Sequence, residues 1–423
     1  MSFNRRSTAL VGDLLKRQIF QMWGKGFNVA RSSYQQSFLT NNQRSSFARY
    51  LNTAGGGISE TAPFDRFVKL KQRTRAAKVS CLVSRRLQPN GGSKEASSRK
   101  SEPLAYDYFH REIAHRLVDR LDDINIRENG EGGFPLALEI GAGSGFVHEA
   151  ISDGCADYDD LGDTTELSID TDVEYTGRGG VRKLVQLDSC SAMLYRDDSN
   201  DERSSPNIIC DTYKLVAEEE GPFPFPDETF DLVISSMAFH WINDLPRLLT
   251  EIKRVLKPDG CLLFALPGGN TLPELRSSLV LAELERTGGV STHLGPYVDL
   301  SNVGSLLTGT GFKLPTIDVD DVQIGYPNMM VLMEHLTRMG EGNACLNRKD
   351  RIGLGTFLSA ACLYEELYQL EDDHEDSGIV ASAQIIYGIA WKEHEAQPKP
   401  LERGTATHKM TDIAVTQTRV EQT

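Results

Sequence analysis

The hydrophobic run Leu136-Ala-Leu-Glu-Ile140 passes directly into Gly141-Ala-Gly143-Ser-Gly145, which predicts a buried strand, a glycine turn and a helix over Phe146 to Ile151. Another short strand is predicted at Phe230–Ser236, after the turn Pro226-Asp-Glu-Thr. Leu248, Leu249, Ile252, Val255 and Leu256 then form a helical stripe closed by a turn at Lys257-Pro-Asp-Gly260, and Cys261–Ala265 is a further strand. Upstream, Phe109, Ile113, Leu117 and Leu121 recur every fourth residue, so a helix over Tyr108–Leu121 precedes the first strand and folds over whatever the glycine turn holds. Downstream, Met329–Met339 and Gly355–Leu370 read as amphipathic helices that cap the site. Strands alternating with helices predict an α/β doubly wound sheet, which binds ligands at the carboxyl ends of its strands.

Charge divides the chain in two. Its 423 residues carry a net charge of −15, yet residues 1–60 are Arg- and Ser-rich and alone carry +6, leaving −21 on the remainder. An acidic globular part excludes a nucleic-acid binder held by bulk electrostatics. In the basic part, Leu14, Leu15, Ile19 and Met22 lie at helical spacing opposite Lys16 and Arg17, the pattern of a mitochondrial transit peptide. No apolar run approaches the roughly 18 residues of a membrane-spanning helix. Seven cysteines without a C-x-x-C pair argue against a disulfide framework or structural zinc and fit a reducing compartment. The organisation expected is a transit segment (1–60), an N-terminal segment with a basic insertion (61–104), a ligand-binding domain (105–270) with an acidic insertion at 153–183, a helical substrate cap (271–406) and a tail (407–423).

The glycine turn narrows the chemistry. Dinucleotide binding by G-x-G-x-x-G would need glycine or alanine where Phe146 stands. Glu139-x-Gly141-x-Gly143-x-Gly145 is instead the pattern of class I S-adenosylmethionine (AdoMet) methyltransferases, in which the turn lets the backbone approach the ligand and Glu139 can meet its cationic end. An acid ending the second strand should take the ribose hydroxyls. Asp188 in Leu184-Val-Gln-Leu-Asp188 is chosen, with Met193 placed to pack on adenine. Asp188 lies 43 residues after Gly145 where about 20 is usual, which is why 153–183 reads as an insertion, and Asp170 is the rival. Asp211 could accept the adenine amino group, in competition with Glu218–Glu220. His240, just beyond the Phe230–Ser236 strand, is the candidate catalytic base, with Trp241 beside it on the substrate side; packing of the helix start is the equal alternative for both.

More distinctive residues lie outside the turn: Phe64-Asp-Arg66 with Lys69 and Gln72, Phe239-His-Trp-Ile-Asn-Asp-Leu-Pro246, Gly268-Gly-Asn-Thr-Leu-Pro-Glu-Leu-Arg276, Met339-Gly-Glu341, Trp391-Lys392, His394-Glu395 and Glu402-Arg-Gly404. On these, over about residues 64–406, the chain resembles the mitochondrial arginine hydroxylases that assist assembly of respiratory complex I. It departs from them at Asn270 and in the segments Lys78–Lys100 and 153–183. The resemblance implies AdoMet as cofactor and an arginine of a complex I iron–sulfur subunit, or of an assembly intermediate, as substrate. It implies the mitochondrial matrix as location, with the inner membrane as a peripheral contact. An arginine substrate wants carboxylates that fork onto its guanidinium, for which Glu274, Glu283 and Glu341 are candidates, each also readable as a helix-surface charge. No metal site is expected: His374-Glu-Asp376 lies in an acidic run that reads as a solvated loop. Two alternatives stand. One is a genuine methyltransferase, since malonyl-carrier-protein methyltransferases share Phe-Asp-Arg and the Leu272–Leu275 pattern. The other is a non-catalytic AdoMet-binding assembly factor.

Overall fold

The five residues of Leu136–Ile140 are almost all buried, as a central parallel strand requires, and the sheet is built outward from them. A computed structural model describes residues 62–87, 106–124, 133–153, 177–197, 210–349, 351–370 and 378–397. The chain divides into two compact units, Met1–Ala62 and Pro63–Thr423. The transit segment, most of the two insertions, Asp170, His374–Asp376 and Arg403 lie outside the described residues.

In chain order the second unit runs α1 (Arg66–Leu87), α2 (Tyr108–Asp119), β1 (Leu136–Ile140), α3 (Phe146–Asp153), β2 (Lys183–Asp188), α4 (Ser191–Leu194), β3 (Asp211–Val216), β4 (Phe230–Ser236), α5 (Leu245–Val255), β5 (Leu256–Pro267), α6 (Pro273–Thr287), α7 (Leu300–Gly309), β6 (Lys313–Tyr326), α8 (Met329–Met339), α9 (Leu354–Leu367) and β7 (Ile379–Trp391). The sheet order is β3-β2-β1-β4-β5-β7-β6. Strands β1 to β5 are mutually parallel, and β7 runs antiparallel between β5 and β6. The order reverses between β1 and β4, so the crevice that such sheets offer a ligand opens there.

One face of the sheet is covered by α2 and α3, whose Ile113, Leu117, Val147 and Ile151 pack against Leu184, Leu232 and Leu263. A second cluster joins α6, α8 and α9 to β7 through Leu275, Leu279, Leu332 and Tyr364, and the Tyr364 hydroxyl donates to the Val380 carbonyl at 2.8 Å. Helix α5 begins where Asp244 accepts the Arg247 N–H at 3.0 Å and Pro246 supplies the preset φ of a first turn.

Two expectations are corrected. Lys257–Gly260 is not a turn ahead of the strand but part of β5: Leu256 pairs with Phe230, the register shifts, and Asp259 at φ +63° absorbs the irregularity. The segment after 271 is not helical alone, because it also supplies the long strands β6 and β7, which extend the sheet. Among the described residues no helix is long and apolar enough to cross a membrane.

Gly388 of β7 faces Phe264 of β5 so closely that a Cβ would run into the aromatic ring, and Phe264 is buried and cannot swing away. Gly388→Ala should therefore destabilise the fold by about 1–3 kcal/mol in urea unfolding; an unchanged midpoint would mean that this pairing is looser than described.

Candidate functional site

The turn after β1 is forced by its own glycines. Gly141, Gly143 and Gly145 have φ of +72°, +56° and +86°, a region that side-chain-bearing residues avoid. A Cβ on Gly141 would overlap Ala238 after β4, so glycine also brings the two strand ends together. The Gly143 N–H, turned outward, donates to Asp188 Oδ2 at 2.8 Å.

Asp188 ends β2 fully buried, and its other oxygen takes the Cys190 N–H at 2.6 Å. Glu139, on the last turn-ward stretch of β1, is buried and accepts Gln186 Nε2–H at 2.8 Å. Burial pushes the Glu139 carboxyl up to about 8, the Gln186 bond only partly opposing it, and the nearby Asp188 charge adds to the rise. Met193 closes this side, with Ser144 Oγ 3.7 Å from its sulfur.

Helix α1 contributes what the sequence analysis did not assign. Arg66, Lys69 and Arg73 stand at i, i+3 and i+7 and all line the cleft. Arg66 pairs with Glu219, whose other oxygen accepts the Ser189 N–H and hydroxyl at 3.1 and 2.9 Å. Arg73 donates to Asp188 at 2.6 Å and lies 3.6 Å from Glu219. Lys69 sits 3.2 Å above the centre of the Trp241 ring and 3.5 Å from Glu341, and donates to the Gly340 carbonyl at 2.7 Å. Burial pulls the Lys69 ammonium down to about 7 despite the attraction of Glu341.

Glu341, just past α8, is the hub of the opposite wall. It accepts Trp241 Nε1–H at 2.9 Å, and its oxygens lie 3.2 Å from His240 Nε2 and 3.5 Å from His110 Nε2. Burial alone would raise its carboxyl, but Lys69 and the two histidines outweigh that and hold it well below the usual carboxylate range. Asp107 and Arg196, joined by two hydrogen bonds of 3.1 and 2.8 Å, complete the rim with Phe146. The cavity so enclosed measures about 80 Å³.

Of the residues singled out in the sequence, Glu139, Gly141, Gly143, Met193, Trp241 and Glu341 line this cleft, and Asp188 and Gly145 lie in its wall through the contacts described. His240 stands behind Glu341 rather than on the cavity; burial lowers its basicity, and its buried Nδ1 has no hydrogen-bond partner among the described residues. Asp211 opens the edge strand β3, exposed and outside the lining; Glu219, one of its three competitors, lines the cleft. Glu274 accepts the Ser382 N–H at 3.2 Å and ties α6 to β7. Glu283 accepts from Ser291 and pairs with His293 and Lys349, closing the loop after α6. Neither lines the cavity. Among the described residues no group of three His, Cys, Asp or Glu is placed to hold a metal ion. The missed cations had a signal in the sequence, a basic i, i+3, i+7 face following Phe64-Asp-Arg66.

Residues 171–264 match the methyltransferase-domain family. The chain is 39% identical over 321 residues to the rat protein named arginine-hydroxylase NDUFAF5, mitochondrial, covering 76% of this chain and 81% of that one. It is 38% identical over 314 residues to the human protein of the same name, covering 74% and 78%. It is also 28% identical over 285 residues to the malonyl-[acyl-carrier protein] O-methyltransferase of Methylovorus, covering 67% and 82%.

The raised Glu139 carboxyl has a measurable consequence. The folded protein keeps this proton up to about pH 8, whereas the unfolded chain releases it near 4.5, so Glu139 costs stability as pH rises between those values. Glu139→Gln, which mimics the protonated form, should match wild type at pH 5 and become more stable than it by pH 8, by on the order of a few kcal/mol. Urea unfolding at the two pH values checks this; a gap that does not change with pH would contradict it.

Proposed function

This chain belongs to the family of mitochondrial arginine hydroxylases with a class I methyltransferase fold, and on that premise we propose that it hydroxylates an arginine of a complex I subunit, with dioxygen and a two-electron reductant as co-reactants and AdoMet held in the cleft. The single observation that carries the reading is that one cleft joins a glycine turn suited to an adenosyl ligand to a wall where a carboxylate and an indole already hold a cation, the ammonium of Lys69.

The residues present fit AdoMet. The glycine turn leaves no Cβ between backbone and ligand, Asp188 offers a carboxylate where ribose hydroxyls would sit, and Met193 offers a polarisable face for adenine. Glu139, kept protonated by burial and by the nearby Asp188 charge, would ionise against the ligand's ammonium group. When bound, AdoMet supplies an electrophilic sulfonium.

Glu341 and Trp241 are assigned to the substrate guanidinium. A guanidinium that takes the place of the Lys69 ammonium would meet the ionised Glu341 carboxylate by charge-assisted hydrogen bonds and the Trp241 face by stacking. His240 is a positioning residue: from behind, it fixes the orientation of the Glu341 carboxylate without facing the cavity. Lys69, with its ammonium near neutrality, can hold or release a proton at Nζ beside that carboxylate. Glu274 and Glu283, spent on structural bonds, take no part. The basic N-terminal segment supports import, and with it our reading of the matrix as the location and of the inner membrane as a peripheral contact.

Peptide mass spectrometry of complex I subunits from cells with and without this protein tests the reading. The expected outcome is loss of one oxygen atom's mass from an arginine in the deletion strain, restored by wild type and reduced at least about tenfold with a stably folded Glu341→Gln. Loss of a methylene's mass instead would make the protein a methyltransferase, and no mass change would leave it a non-catalytic factor.

A further inference from the structure

Asp188 has a full set of partners within the chain. Oδ1 accepts the Cys190 N–H, and Oδ2 accepts both the Gly143 N–H and the Arg73 guanidinium. The guanidinium lies over the glycine turn itself: a Cβ placed on Gly143 would find Arg73 Nη2 at 4.0 Å. The cavity of about 80 Å³ is correspondingly small beside the roughly 300–1,000 Å³ of ligand pockets in general. Arg73 therefore fills the place that the preceding section gives to ribose.

We infer that Arg73 is an internal competitor for the cofactor's seat, so that binding of the adenosyl ligand requires its guanidinium to leave Asp188. This rests on the reading that AdoMet uses this cleft. The rest of α1 need not leave with it. Asp65 N–H donates to the Ala344 carbonyl at 2.8 Å, Lys69 to Gly340 at 2.7 Å and Gln72 to Asn343 at 3.0 Å, so the helix is moored to the 340–344 segment independently of Asp188. A second acceptor is at hand as well, since Arg73 Nη1 is already 3.6 Å from Glu219. Rotation of one side chain from Asp188 towards Glu219 frees the carboxylate while keeping the guanidinium paired, which a buried cation requires. Arg73 thus selects for a ligand whose hydroxyls can replace a charged donor on Asp188 Oδ2.

Titration calorimetry with S-adenosylhomocysteine on the full chain tests this, with thermal melting as the control for folding. Wild type should bind most weakly, Arg73→Lys, which keeps the charge but loses the fork, more tightly, and Arg73→Met at least about tenfold more tightly than wild type. If either folded variant binds no better than wild type, Arg73 is not a competitor, and if it binds worse, Arg73 is a ligand of the cofactor; both outcomes overturn the inference while leaving the cofactor reading intact. Binding by neither wild type nor a folded variant would remove the cofactor reading itself, and this inference with it.

Discussion

Four buried or half-buried carboxylates, those of Glu139, Asp188, Glu219 and Glu341, are gathered at the carboxyl edge of one sheet, and the structure around them is organised by the need to compensate them. An ionised carboxylate withdrawn from water without partners costs several kcal/mol. Each is treated differently. Glu139 keeps its proton, Asp188 draws on two backbone N–H groups and a guanidinium, and Glu219 and Glu341 draw on α1. Helix α1 has a low apolar content and is held less by hydrophobic burial than by these ion pairs and by its bonds to the 340–344 segment. The chain's first described helix and its post-α8 loop are thereby brought to the same cleft.

That arrangement explains how a methyltransferase fold can be turned to a cationic substrate. The adenosyl end relies on features of β1 and β2 that any protein of this fold could carry. The opposite wall is specific to the residues α1, Trp241 and Glu341 bring together. A site this rich in fixed charge discriminates by what it leaves unpaired: a ligand that displaces the partners of Glu341 or Asp188 without replacing them would bury a bare carboxylate.

The central sheet was legible because its strands are short apolar runs bounded by glycine and proline turns; Phe230–Ser236 has the same limits in sequence and structure. Helix Met329–Met339 was equally plain, since Asn328 caps it and Gly340 ends it. Strands β6 and β7 escaped notice because β6, with Asp318, Asp320 and Asp321 interleaved among Ile317, Val319 and Val322, carries charge where an apolar strand is looked for. Two of those aspartates face Arg120 and Arg116 of the α2 region, a pairing that only the fold creates. The placement of Glu139, the glycines and Asp188 was readable because it is local to two strand ends. Glu341 could be proposed but not told apart from Glu274 and Glu283, because all three lie in helical surroundings and only tertiary contacts decide which one faces the cavity. Among Glu218, Glu219 and Glu220 the loop geometry selects Glu219, which no spacing rule reveals.

The central claim is that one cleft seats an adenosyl ligand at Asp188 and an arginine side chain at Glu341. A crystal structure of the protein with S-adenosylhomocysteine and an arginine-bearing peptide from its substrate subunit tests it most directly. The account predicts ribose hydroxyls on Asp188 and a guanidinium bonded to Glu341 beside Trp241 in the same molecule. Ligand density elsewhere, or a peptide arginine that does not approach Glu341, would contradict it.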